Sequence, residues 1–196
     1  MSVPPESTGL SSGGLLGGLG TAFAEVSAAV LKPDMFIRVT GKVSGKVKGE
    51  WDRDSEALKV GDIQILSWSW GVRSPTDTWE GTATGRRQFL ELQVRKRVDT
   101  STPVLYSCLK TNEPLKSVRL MVFKAGSDLE DLPYFILTIS EARITSMATS
   151  PGDGQETHEL FDRVSFAFRK VQIGYNVQLA DGTLGPEIQY EDTLEL

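Results

Sequence analysis

DIQILSWSWGV, residues Asp62 to Val72, decides how the chain is read. Ile63 and Ile65 share a parity with Ser67 and Ser69, while Leu66, Trp68, Trp70 and Val72 share the other. On a helix, residues i and i+2 stand about 200° apart, whereas on a strand they lie on the same side. Trp68 and Trp70 therefore predict one strand whose Leu66, Trp68, Trp70 and Val72 face anchors an aromatic core.

Downstream, Gln88 to Arg97 alternates more cleanly, with Leu90, Leu92 and Val94 against Glu91, Gln93, Arg95 and Arg97, as expected of a strand wet on one face. One short helix of about two turns follows. Ser101 or Thr102 is placed to cap it, Pro103 fits its first turn, and Val104, Leu105, Cys108 and Leu109 form its apolar stripe before Asn112 and Pro114 stop it. Ser117 to Lys124 and Pro133 to Ile139 read as strands around AGSDLEDLP, the second running on through EARITSMA. Because Phe135, Ile136, Leu137 and Ile139 are apolar at both parities, that strand is expected to be covered on both sides. In Leu160 to Tyr175 the apolar phase changes from Val164, Phe166 and Phe168 to Val171, Ile173 and Tyr175, which predicts a β-bulge at Arg169 or Lys170. A last strand is expected at Ile188 to Glu191.

Upstream, MFIRVTG from Met35 is a short alternating strand, and KVSGKVKGEWDRDSEALKVGD is a polar, Gly-punctuated connection with room for one small strand. Residues 1–34 differ in composition: SGGLLGGLG resembles a linker, and only TAFAEVSAAVLK has the apolar spacing of a short helix. The division expected is a flexible extension, 1–34, and one domain, 35–196. Strands without βαβ alternation place the domain in the all-β class, as a closed β-barrel of two packed antiparallel sheets with one short α-helix.

Composition narrows the function classes. With 196 residues and 39% hydrophobic content the chain supports one sizeable core. A net charge of −5 with scattered basic residues gives no nucleic-acid footprint, and no apolar run reaches the length of a membrane span. The segment before Gly20 lacks the positive start of a signal peptide. Cys108, the single cysteine, excludes an internal disulfide and reads as packing. No nucleophile elbow, phosphate-cradling glycine loop or zinc motif occurs, so neither catalytic residue, metal nor cofactor is expected. Glu50, Asp52, Asp54 and Glu56 lie close in sequence but lack a cation loop's spacing, and a solvated acidic turn is the better reading.

In order along the chain, DMFIRVTG, KGEWDRD and IQILSWSWGV, then VRKRVDTSTPVLYSCL, LMVFKAG, YFILTISEARITSMATSPG and ELFDRVSFAFRKVQIGYNVQLADG resemble the haemolysin-coregulated protein (Hcp) family, the inner-tube subunits of type VI secretion systems. The likeness covers Asp34 to Asp181. Where many members carry a histidine between the acidic turn and the tryptophan strand, this chain has Ala57 and Leu58, and it adds a long extension ahead of Met35.

The resemblance implies a homohexameric ring, stacked into a hollow tube that a contracting sheath expels behind a spike, with effector proteins as cargo. It also implies assembly in the cytoplasm and export by that machine rather than by a signal peptide. A lumen passing proteins should be polar, which makes Glu91, Gln93, Arg95 and Arg97 candidates for a lumen or ring-surface face. In the family the excursion after the tryptophan strand reaches towards the next ring. Trp79, with Arg73 or Arg86, is therefore the candidate stacking contact, the alternative being that Trp79 folds back on its own barrel. A tail-tube protein of a phage or another contractile machine would share these features, and a small-ligand barrel or enzyme is the reading from a different class.

Overall fold

The computed structural model of the chain describes residues 34–75, 85–124, 132–152, 158–179 and 184–194. In chain order these form β1 (Met35–Gly41), β2 (Lys46–Val47), β3 (Ile63–Ile65), β4 (Ser67–Ser69), β5 (Val72–Arg73), β6 (Gln88–Phe89) and β7 (Leu92–Arg97). Helix α1 (Thr102–Lys110) comes next, followed by β8 (Leu115–Val122), β9 (Phe135–Pro151), β10 (Leu160–Ala167), β11 (Lys170–Gln178) and β12 (Leu184–Thr193). Residues 1–33, and with them almost all of the expected extension, lie outside the described residues, as do 76–84.

The wall runs β1, β8, β9, β10, β7, β4, every neighbouring pair antiparallel. Its two ends are joined by the chain itself. β3 pairs with β1, then passes through Leu66 into β4, which pairs with β7, and the Leu66 N–H donates to the Arg95 carbonyl at 2.8 Å. The expected single strand is thus two strands turning a corner between sheets, with β5 forming a separate ribbon with β6. The turn corrects the expected facing: Ile63 and Ile65 are buried in the core, the phase changes at Leu66, and Trp68 and Trp70 pack against that core half-buried. A chain that changes sheets must swap the parity it sends inward. Val72, expected inside, is 42% exposed. The Gln88 to Arg97 strand is likewise divided, and Leu90 at the division is 38% exposed.

A comparable corner replaces the expected bulge at Arg169 or Lys170. β10 lies along residues 143–151 of β9 and β11 along residues 135–140, so the phase change at Phe168 to Lys170 is the step from one sheet to the other. Glu141 of β9 makes the matching bend with φ of 51°, and its carboxylate meets Lys170 at 3.2 Å. β12 pairs with β11 alone among the described strands, off the path of the wall, and is longer than the expected Ile188 to Glu191.

Helix α1 packs against β9 and sends Leu105 and Cys108 into the barrel core. Val104 is 36% exposed and leaves the expected stripe. Ser101 is the N-cap residue, but its hydroxyl donates to Asp99 at 2.5 Å instead of capping the helix. A second layer lies outside the barrel: the connection after β2 brings Leu58, Trp51 and Ala57 over Phe36, Met121 and Phe123. Asp62 fastens that layer, accepting two hydrogen bonds from the Arg38 guanidinium (2.8 and 2.6 Å) and an ion pair from Lys46 at 2.9 Å.

Candidate interaction surfaces

The sheet of β4, β7, β10 and β9 sends Trp68, Val94, Val164 and Met147 inward as one cross-strand row. The parity that faces outward carries mostly polar side chains. Ser67, Arg95, Arg163 and Ala148 stand opposite one another in one row, and Ser69, Gln93, Ser165 and Ser146 in the next. With Trp68, Val94, Met147 and Val164 they line a shallow groove of about 510 Å³, to which no carboxylate contributes among the described residues. The Arg95 guanidinium lies 4.0 Å over the ring of Phe161, which is itself 2% exposed. Arg163 is exposed and has no ion-pair partner among the described residues.

Of the lumen or ring-surface candidates, the structure brings Gln93 and Arg95 into this groove. Arg97 is exposed further along β7 and pairs with Glu159 at 2.6 Å, and Glu91 is exposed just ahead of β7, outside the lining. Arg163 also lines the groove and is not among those candidates; the apolar phase of Leu160 to Tyr175 does not point to it, and its signal in the sequence is the parity opposite Val164.

The ring-stacking candidates lie at the base of another feature. Arg73 is exposed in β5, opposite Gln88. Arg86 borders a cleft of about 240 Å³ with Arg87, Phe89 and the end of β12, where Arg87 reaches Asp192 at 3.3 Å. Trp79 falls outside the described residues.

A third surface lies on the β11–β12 hairpin. Tyr175 is opposite Ile188, and Ile173 opposite Tyr190. Tyr175, Ile188 and Tyr190 are 41%, 62% and 45% exposed, an apolar stripe that continues the barrel's inward parity past its edge. Tyr134 meets Tyr175 edge to face at 6.4 Å.

The groups with reactive chemistry are held in structural contacts. Burial pushes the Cys108 thiol up from its ordinary pKa, and Cys108 donates to the Glu113 carboxylate at 3.4 Å. Among the described residues no three Asp, Glu, His or Cys side chains gather as a metal site; of the acidic turn, Asp54 accepts the Val60 N–H at 2.9 Å. No helix among the described residues is long and apolar enough to cross a membrane.

The family model for the type VI secretion system effector Hcp matches residues 36–175. Protein hcp1 of Pseudomonas aeruginosa is 30% identical over 151 residues, which cover 76% of this chain and 86% of that protein. Among solved structures, a type six secretion system protein superposes with a TM-score of 0.70 at 22% identity, covering 83% of this chain and 96% of the other. A doubly substituted Hcp1 protein of Escherichia coli EAEC 042 gives a TM-score of 0.65 at 21% identity, covering 83% and 99%. These structural likenesses bear on the fold alone, and they agree with the barrel traced above. With the sequence match spanning the barrel from β1 into β11, the chain belongs to the Hcp family of ring-forming, secreted proteins of the type VI secretion tube.

Proposed function

We propose that the chain is a wall unit of the inner tube, copies closing head to tail into a homohexamer and rings stacking into a channel that carries effectors. The observation that supports this reading is the contrast between two exposed faces of one barrel: the groove that presents Ser, Gln and Arg side chains suits a lumen, and the apolar β11–β12 stripe suits burial between copies. Gln93 and Arg95 are then lumen residues, Arg97 lies at the edge of that face, and Glu91 belongs to the ring surface. Arg73, Trp79 and Arg86 contribute to contacts between stacked rings, and sheath and spike proteins are partners of the assembled tube. Residues 1–34 act as an extension ahead of the barrel at 35–196. Assembly takes place in the cytoplasm and export follows sheath contraction; no catalytic step is assigned.

Size-exclusion chromatography with light scattering tests the reading on the full chain and on a version beginning at Met35. Both should elute as rings, and a monomer at high concentration would overturn it. Trp79→Ala should leave rings intact and weaken their stacking by about 1–3 kcal/mol, the range of an aromatic interface anchor.

A further inference from the structure

Joining copies head to tail takes two different surfaces, and the β11–β12 stripe is only one of them. At the other edge of the same sheet, which runs β2, β1, β8, β9, β11, β12, stands the tip of the β1–β2 hairpin, residues 42–45. There Val43 is 88% exposed, the most exposed large hydrophobic side chain among the described residues. The backbone beneath it is fixed by a buried carboxylate. One oxygen of Glu113 accepts the Val43 N–H at 2.7 Å, the Ser44 N–H at 2.8 Å and the Ser44 hydroxyl at 3.1 Å. Gly41 makes that approach possible, since a Cβ there would lie 2.3 Å from the same oxygen. An apolar side chain held in water on so firmly bonded a turn loses little freedom when it docks. We propose that Val43 of one copy packs against Ile188 and Tyr190 of the next, so that the tip is the second half of the contact between neighbouring copies. The inference rests on the tube reading for the closing of the ring and goes beyond it in naming the two surfaces that meet.

Charge favours a second copy as the partner. The tip is basic: Lys42 is exposed beside Val43, its N–H donating to the Pro114 carbonyl at 3.0 Å, Lys110 ends the helix that leads into this turn, and Arg143 donates to the Asn112 carbonyl. Lys42 and Lys110 form no ion pair among the described residues, and Glu141, the exposed acid of the neighbouring corner, is held by Lys170 at 3.2 Å. β12 has the opposite sign. It carries Glu187, Glu191 and Asp192 and no basic residue, with Glu187 and Glu191 exposed on the parity that alternates with Ile188 and Tyr190. Two tips facing each other would set lysine against lysine, and two β12 strands would set glutamate against glutamate. Tip against β12 joins unlike charges around an apolar centre, and that pairing is heterologous, so it propagates from copy to copy instead of stopping at a dimer.

Cysteine cross-linking on the full chain tests the pairing, because the native Cys108 is buried and a disulfide forms only when two Cα atoms come within about 7 Å. Under mild oxidation, Val43→Cys combined with Ile188→Cys or with Tyr190→Cys should give a ladder of covalent multimers on non-reducing gels. Each single variant should run as one chain, and so should Val43→Cys combined with Leu160→Cys, an exposed position on β10 away from the stripe. Dimers from Val43→Cys alone would mean that tip meets tip and would overturn the proposal, as would an equal ladder from the Leu160 control. Val43→Glu should raise the concentration at which copies associate by about tenfold or more, and since Val43 lies outside the core the variant should melt like the parent. Light scattering on the same samples separates the two readings. Rings that give no ladder with either stripe position overturn this contact alone and leave the stripe to another partner; a ladder from open chains that never close upholds the contact and overturns the ring.

Discussion

Asp62 shows how one carboxylate holds two layers together. Its side chain is fully buried, and burial alone raises its pKa; hydrogen bonds from Arg38, the Lys59 N–H and Lys46, with the Arg38 charge, outweigh that and hold it below the ordinary carboxylate value. A carboxyl depressed in the folded state contributes stability that is fully present above its unfolded pKa, about 3.9, and is lost as pH falls through the lower folded value. Glu113 behaves alike: burial raises it, but the N–H groups of Ser44 and Val43 and the Ser44 and Cys108 hydrogen bonds lower it further. Urea midpoints should therefore hold from neutrality down to about pH 4 and fall below it. Asp62→Asn should cost about 2–3 kcal/mol at pH 7, because two cations lose their partner, and should flatten the acid limb; a limb unchanged in this variant would place the acid sensitivity elsewhere. Cys108 gives a simpler check. Its thiol is 2% exposed and pushed up by burial, so iodoacetamide should label it slowly in native protein and quickly in urea.

The elements are joined by a polar row that the alternation in β7 conceals. Lys96, Asp162 and Thr149 are cross-strand neighbours on the inward parity, and Lys96 and Asp162 are fully buried. The Lys96 ammonium donates to Asp99 at 2.8 Å and to Thr102 at 3.1 Å, and reaches Asp162 at 3.0 Å, which ties the start of α1 to β7 and β10. Lys96→Met should cost about 3–5 kcal/mol, since two acids are left without their cation, and adding Asp162→Asn should recover part of that loss in a double-mutant cycle; full additivity would mean that the two groups do not interact. In the sequence Lys96 has the parity of Leu92 and Val94, and alternation alone does not reveal its burial. The strand identities of β1, β8 and β9 were legible, because Ile37, Leu120 and Leu137 sit in unbroken alternation or in runs apolar at both parities. The corners were not. A phase change in Phe168 to Lys170 looks the same whether it bulges one strand or passes the chain to another sheet, and only pairing with both halves of β9 separates the two. The groove was half legible for the same reason: Gln93 and Arg95 lie in one strand, and Arg163 joins them only through register.

At the scale of the whole molecule, the barrel satisfies its own core and leaves the β11–β12 stripe uncovered. β12 is an edge strand whose residues from Pro186 to Glu191 are all exposed. Edges of this length invite pairing unless something covers them, and Ile188 and Tyr190 add apolar area to be removed from water. A ring supplies that cover at every copy, because a head-to-tail contact repeats until it closes, and a specific contact of this kind removes about 1,200 Å² or more in total. Placing a carboxylate on the stripe separates its two roles. In a lone subunit Ile188→Glu or Tyr190→Glu changes an exposed side chain on β12, so thermal stability under dissociating conditions should move by no more than about 0.5 kcal/mol. In a ring the same carboxylate is buried against a neighbour, with a desolvation cost of several kcal/mol at each interface. Light scattering should then report monomers where the unsubstituted chain reports rings. If rings of unchanged mass persist in both variants, the stripe faces solvent in the assembly and the copies meet through another part of the barrel wall.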